Sequence, residues 1–177
     1  MNEFLTYEYA VAPPKKKKLK LLLIFGYVLY ALILFVLIAT VGKLFLPLFA
    51  LVPITLWVIV FFTWPYTSPE YEYSMTSGEL TFSVIYGGRI RKKVFETKIK
   101  DMEAIAPLEE PYSRKIDEFG PASVYEGASS HTSPDAYFAI FANEDGEKCV
   151  YYFEATERAL KILRHYNPKT VGKKVRF

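Results

Sequence analysis

Residues 21–64, LLLIFGYVLYALILFVLIATVGKLFLPLFALVPITLWVIVFFTW, hold a single charge, Lys43. The turn Val41-Gly42-Lys43 divides this stretch into two apolar runs, 21–41 and 44–64, of 21 residues each. Crossing a hydrocarbon core of about 30 Å takes about 20 helical residues. A water-exposed helix of that length keeps a polar face, and neither run has one. Both therefore read as spanning helices, joined too tightly for any folded element between them. Pro47 and Pro53 would break a helix in water, but lipid tolerates them near an end or at a kink. A cleaved signal peptide fits worse. It needs an apolar region of about 7–15 residues and a small-residue cleavage site. Ala39-Thr-Val-Gly-Lys43 makes a poor site, and a second apolar run follows at once.

Lysines set the expected orientation. Lys15, Lys16, Lys17, Lys18 and Lys20 crowd the N-terminal flank of the first run, against Lys43 alone in the turn. The positive-inside bias puts that flank in the cytoplasm, and two crossings return the chain there. The expectation is a two-span cell-membrane protein with both termini cytoplasmic. The lysine run serves as topology signal and adds attraction to anionic headgroups of the bilayer. Trp64 and Tyr66 at the exit suit an interfacial aromatic belt.

The rest of the chain has a different composition. Of 177 residues, 51% are hydrophobic, 17% aromatic and 23% charged, which excludes disorder and collagen-like repeats. One cysteine cannot staple a disulfide scaffold. The formal charge of +3 resolves into +3 for residues 1–20, +1 for Lys43 and −1 for the remainder. A near-neutral soluble part is a poor nucleic-acid binder.

Thr67-Ser68-Pro69 reads as a linker, and strand signals begin behind it. Tyr71–Thr76 alternates and ends in a Ser77-Gly78 turn; Leu80, Phe82 and Val84 then alternate with Thr81 and Ser83. Gly87-Gly88 supplies the positive φ of a tight hairpin onto Arg89–Thr97. Ile99–Pro107 reads as a further strand, and Tyr137–Ala142 and Lys148–Phe153 as a hairpin around Asn143–Gly146. Thr156 is a natural N-cap for a helix with Ala159, Ile162, Leu163 and Tyr166 on one face, stopped by Asn167-Pro168. Residues 108–136 form a long polar excursion with room for one short strand near Ala122–Glu126. The expected class is α+β: a transmembrane α-hairpin (1–20 basic segment, 21–64 hairpin), then an antiparallel β-sandwich or barrel over 66–177. A C-terminal amphipathic helix closes it. Residues 1–9 either stay apart or add a strand.

Meander strands followed by one C-terminal helix resemble bacterial PH-like domains, which commonly follow a pair of N-terminal transmembrane helices. The match covers about residues 70–167. Several segments also look like a small family of two-helix bacterial membrane proteins: Glu70-Tyr-Glu-Tyr73, Gly78-Glu-Leu80, Arg89 to Lys93, Ala106-Pro107, Ser129-Ser130, Phe153-Glu154 and Asn167-Pro168. The resemblance implies the topology and the fold. Eukaryotic PH-like domains often hold phosphoinositides through basic residues on the first loop between strands. In this chain that loop reads as Thr76–Glu79, without Lys or Arg. The basic cluster sits one hairpin later.

That cluster, Arg89, Arg91, Lys92 and Lys93, is the candidate surface for a membrane or a protein partner, each cation near an anionic surface being worth about 1 kcal/mol. A solvated strand end paired to acids such as Glu96 is the plainer alternative. Catalytic signals are weak. Ser129, Ser130, His131 and Asp135 hold the residue types of a hydrolase triad, but within one loop, whereas triads are assembled from separate rigid elements. Glu109-Glu110 and Asp117-Glu118 read as solvated acids. Cys149, His131 and His165 lack metal-ligand spacing, so no metal and no cofactor are expected. Cys149 reads as a small hydrophobe in a strand, and His165 as a cation in a last helical turn. The expectation is a non-enzymatic membrane protein presenting a cytoplasmic PH-like domain. The alternative is an accessory subunit of a transport or secretion assembly acting through its hairpin, to which Gly26, Gly42 and the prolines point.

Overall fold

The computed structural model describes residues 6–13, 17–41 and 46–172. The chain divides into two compact units. One is helical and holds Lys15–Pro69 with the short segment Tyr86–Ile90; the other is the β-domain, built from residues on both sides of the helices.

In the helical unit, α1 runs Lys17–Val41, four residues earlier than the apolar run alone indicated, so Lys17, Lys18 and Lys20 lie in its first turn. Lys15, Lys16 and the turn at Gly42-Lys43 fall outside the described residues. The second run is not one α-helix. Leu46–Ala50 is a 3-10 turn, α2 is Leu51–Thr63, and Trp64–Thr67 is 3-10 again. The prolines explain the partition. Pro53 is third in α2 and Pro65 opens the last 3-10 turn, places where a missing N–H breaks no intrahelical bond. The helices run antiparallel: the Tyr27 hydroxyl meets Thr63 Oγ1 at 2.6 Å, and the Phe35 and Phe49 rings lie 5.4 Å apart. Lys17–Thr40 and Pro47–Thr67 are each long and apolar enough to cross a membrane, and only 6% and none of their most apolar windows are buried.

In the β-domain, β1 (Thr6–Val11), β2 (Pro69–Thr76), β3 (Glu79–Tyr86) and β4 (Ile90–Lys98) form one sheet in that order. The N-terminal segment therefore does add a strand, in register from Thr6↔Thr76 to Val11↔Tyr71. Its arrival makes the connection Thr76–Glu79 the second between strands, not the first. The segment expected as one strand over Ile99–Pro107 is a 3-10 turn, Ile99–Asp101, and β5, Ala104–Pro107. With β6 (Ser123–Gly127), β7 (Ala136–Ala142) and β8 (Lys148–Glu154) it makes a second sheet, ordered β5-β7-β8-β6. A short α3, Arg114–Phe119, occupies the polar excursion, and α4 is Glu157–Tyr166.

Two expectations are corrected. The second sheet is mixed, because β6 pairs parallel to β8 while β7 and β5 run antiparallel. The loop 128–135 carries the chain over the end of β8, so β6 and β7 flank it. Nor do the strands close a barrel: they form two separate four-stranded sheets. Rings from both interleave in one core, with Phe82 4.8 Å from Tyr151 and Tyr73 5.6 Å from Phe153. Ala159, Ile162 and Leu163 of α4 complete that core. The other face of the second sheet (Phe138, Ile140, Val150) is covered by Ile116 of α3. Burial on both faces accounts for the unbroken apolar run of β7.

Candidate membrane-interface site

The tip of the β3–β4 hairpin belongs to the helical unit. Gly87 and Gly88 take φ of 57° and 67°, conformations costly for side-chain-bearing residues. The Arg89 N–H donates to Tyr86 O at 3.1 Å, and the Gly87 N–H donates to Ser68 O at 3.1 Å. A Cβ on Gly87 would come within 2.9 Å of Pro65. The tip thus seats on the residues that leave α2, with the Tyr66 and Tyr86 rings 5.0 Å apart.

This seating divides the four predicted basic residues. Arg89 places its guanidinium 5.2 Å over the ring of Phe61. Arg91 forms an ion pair with Glu72, whose side chain is only 10% exposed. The Glu72 hydrogen bond and charge hold the guanidinium pKa above its ordinary value. Lys93 pairs with Glu96 at 3.0 Å, and that hydrogen bond lowers the Glu96 carboxyl. Lys92 is exposed. The plainer alternative therefore describes Lys93, and Arg91 as well, with a partner in Glu72 that the strand pattern did not indicate. Arg89 is different. It borders a groove of about 400 Å³ lined by Trp57, Phe61, Trp64, Pro65 and Ser68 among others. Lys20 Nζ lies 5.8 Å from the Trp64 ring centroid. Two cations thus sit on two aromatic rings within one unit.

The triad-like loop is not assembled as a triad. Ser129 gives both its N–H, at 3.0 Å, and its hydroxyl to the Glu154 carboxylate. The Ser130 hydroxyl pairs with Thr132 at 2.8 Å, and His131 Nε2 with Glu126 at 2.8 Å. Asp135 accepts the Ala155 N–H through its backbone oxygen. The acidic pair at 109–110 is not wholly solvated: Glu110 reaches Arg114 at 3.2 Å, while Glu109 Oε1 is buried. Cys149 is buried, with its thiol pushed up first by burial and then by the charge of Glu147. Among the described residues no group of three or more His, Cys, Asp or Glu could hold a metal ion.

Three buried polar residues organise the domain, Glu72, Glu154 and Asn167; the sequence reading touched them only as parts of resembling segments or as a helix stop and gave none of them this role. Asn167 Nδ2 donates to Ile99 O at 2.8 Å and Met102 O at 3.0 Å, tying the end of α4 to the strand-connecting turn. The one available signal was a polar residue directly abutting an apolar run, as in Phe153-Glu154.

Two facing sheets and a closing helix, in a chain that also carries two long apolar helices, define a PH-like domain class. The bacterial PH-like domain family (DUF6106) matches residues 4–173, and the chain belongs to that family. The match takes in β1, both apolar helices and α4. No curated protein and no solved structure matches the chain.

Proposed function

We propose that this protein is a membrane-anchored, non-catalytic binding module, with the β-domain on the cytoplasmic side as the part that meets a protein partner. One observation carries the anchor: large apolar side chains stay exposed along α1 and α2, from Leu21 and Phe25 to Trp57 and Phe62. A surface like that is stable against lipid and a liability in water. Pairing of β1 with β2 supports an even number of crossings, since the strands flank the helices in sequence and share a ladder. The lysines of the first turn of α1 support the cytoplasmic side. Separate engagement of Ser129 and His131 by Glu154 and Glu126 supports a non-catalytic domain.

Protease added to intact cells should leave the β-domain uncut, and inverted vesicles should lose it. The opposite pattern overturns the orientation. Full-length protein assayed with general esterase and phosphatase substrates should show no turnover. Turnover abolished by changing one polar residue overturns the non-catalytic reading. Crosslinks captured solely through 21–64 would move the assignment to the accessory-subunit alternative. Gly26 does not argue for helix packing inside this chain, since a Cβ there meets nothing within 4 Å.

A further inference from the structure

We propose that the groove at the exit of α2 binds an anionic glycerophospholipid, its phosphate held by Arg89 and Lys20 and an acyl chain lying along Phe61 and Trp57. This rests on the reading that α1 and α2 lie in lipid. Charge complementarity selects the occupant. Arg91 and Lys93 are matched to Glu72 and Glu96, but Arg89 has no carboxylate partner among the described residues, and no acid lines the groove. The contact with the Phe61 ring occupies none of its N–H donors with an acceptor, which leaves them for a phosphate that a guanidinium can grip with two parallel hydrogen bonds. Lys20 is half-buried over Trp64 in the early part of α1, where the helix dipole disfavours a cation and an adjacent anion offsets that cost.

Polarity also grades along the groove as it does along a lipid. Ser68 lies at one end with Trp64 near it, and Trp57 is two turns, about 10 Å, back along the helix from Trp64. Trp57 is 67% exposed and Phe61 45%, so both offer open apolar surface to a chain. A zwitterionic headgroup brings its own cation to this place, whereas an anionic one does not. The site therefore discriminates by net charge.

The only two tryptophans of the protein, Trp57 and Trp64, line the groove, so intrinsic fluorescence reads the site directly. Full-length protein is reconstituted in phosphatidylcholine bilayers containing a minor fraction of acyl-brominated phosphatidylglycerol or, in parallel, acyl-brominated phosphatidylcholine. The brominated anionic lipid should quench with an apparent affinity at least about five-fold higher, the factor equivalent to about 1 kcal/mol, which is the share of one of the two cations. R89Q and K20Q should each lower that preference, and the double variant should abolish it. R89K should keep only part of it, because an ammonium cannot grip the phosphate with two parallel hydrogen bonds, and R91Q should leave it unchanged. Equal quenching by both lipids, or a preference that survives in the double variant, overturns the site while leaving the membrane anchor standing. Absence of quenching by either lipid overturns the anchor as well. Millimolar glycerol phosphate should not compete, and competition by it would reassign the groove to a soluble phosphate and overturn the lipid proposal.

Discussion

Tyr9 stands directly opposite Tyr73 across the β1–β2 ladder, their rings 5.6 Å apart, although both apolar helices lie between them in the chain. The consequence is topological. A strand that precedes α1 can share a sheet with one that follows α2 only if both emerge on the same side of any membrane the helices cross. With the helices in a membrane, as proposed, the ladder requires one side for both of their flanks.

The neighbouring pair Glu8↔Ser74 offers a test. Opposed residues in an antiparallel ladder have Cα atoms about 4.5–5.5 Å apart, within disulfide reach. The double variant E8C/S74C, expressed in full-length protein and oxidised in isolated membranes, should crosslink efficiently and shift in non-reducing electrophoresis. The offset pair E8C/T76C should crosslink far less. Equal crosslinking of both pairs would contradict the register.

Asn167 should be the most sensitive polar residue of the domain. Its side chain satisfies the carbonyls of Ile99 and Met102 in a buried setting; N167A takes that donor from both, and Ile99 O keeps only the longer bond from the Met102 N–H, at 3.3 Å. Each unsatisfied buried group costs about 1–3 kcal/mol. Circular dichroism melts in detergent should show a loss of about 2–4 kcal/mol for N167A. N167D should lose at least as much, because a carboxylate cannot donate. A neutral N167A would mean the turn is held by other means.

These polar anchors mark where the sequence stopped being legible. The apolar spans, the Gly87-Gly88 hairpin, the aromatic strands and the Thr156 cap could be read because each leaves a periodic or local signature. β1 could only be left open: Tyr7, Tyr9 and Val11 alternate with Thr6, Glu8 and Ala10, but the strand's partner β2 lies beyond two helices. The parallel pairing of β6 was hidden for a similar reason: it depends on Glu154 gathering the Ser129 loop over β8, a contact between distant positions. The basic run was visible as a run. Its division between Glu72, Glu96 and the ring of Phe61 was not, because it is set by tertiary neighbours.

Two core tyrosines should respond in opposite ways to loss of their hydroxyls. Tyr73 donates to Glu154 O at 2.9 Å, so Y73F should cost about 1–2 kcal/mol. Tyr151 is fully buried and its hydroxyl meets no hydrogen-bond partner among the described residues. Y151F removes a desolvated polar atom and should be neutral or stabilising by up to about 1 kcal/mol. The same ring restricts Gly127, where an added Cβ would lie 2.5 Å from Tyr151 Cε2. G127A should therefore cost about 1–3 kcal/mol by overpacking. Denaturation midpoints of the three variants check the ordering, and a Y151F that destabilises more than Y73F would refute it.

Alkaline pH should unfold the β-domain before the apolar helices are affected, and the sign follows from burial. Tyr73 and Tyr151 both have phenol pKa values raised well above the ordinary 10.0, in each case chiefly by burial, with the charge of the neighbouring tyrosines adding to it. Burial likewise raises the Cys149 thiol above 9.0 and the Tyr137 phenol above 10.0. A raised folded pKa means the folded state keeps a proton that the unfolded chain releases. The associated stability is fully present below the unfolded pKa and is lost as pH climbs toward the folded value. Stability should thus be flat through neutral pH and begin to fall near 9–10. The two fully buried phenols should each contribute a slope of about 1.4 kcal/mol per pH unit above the unfolded value. Denaturation midpoints across that range, with tyrosinate absorbance followed in parallel, should show ionisation of these phenols coinciding with loss of the β-sheet signal. In the double variant Y73F/Y151F the decline should be shallower, because phenylalanine has no proton to release. An unchanged slope in that variant would mean the two rings do not govern the alkaline limit.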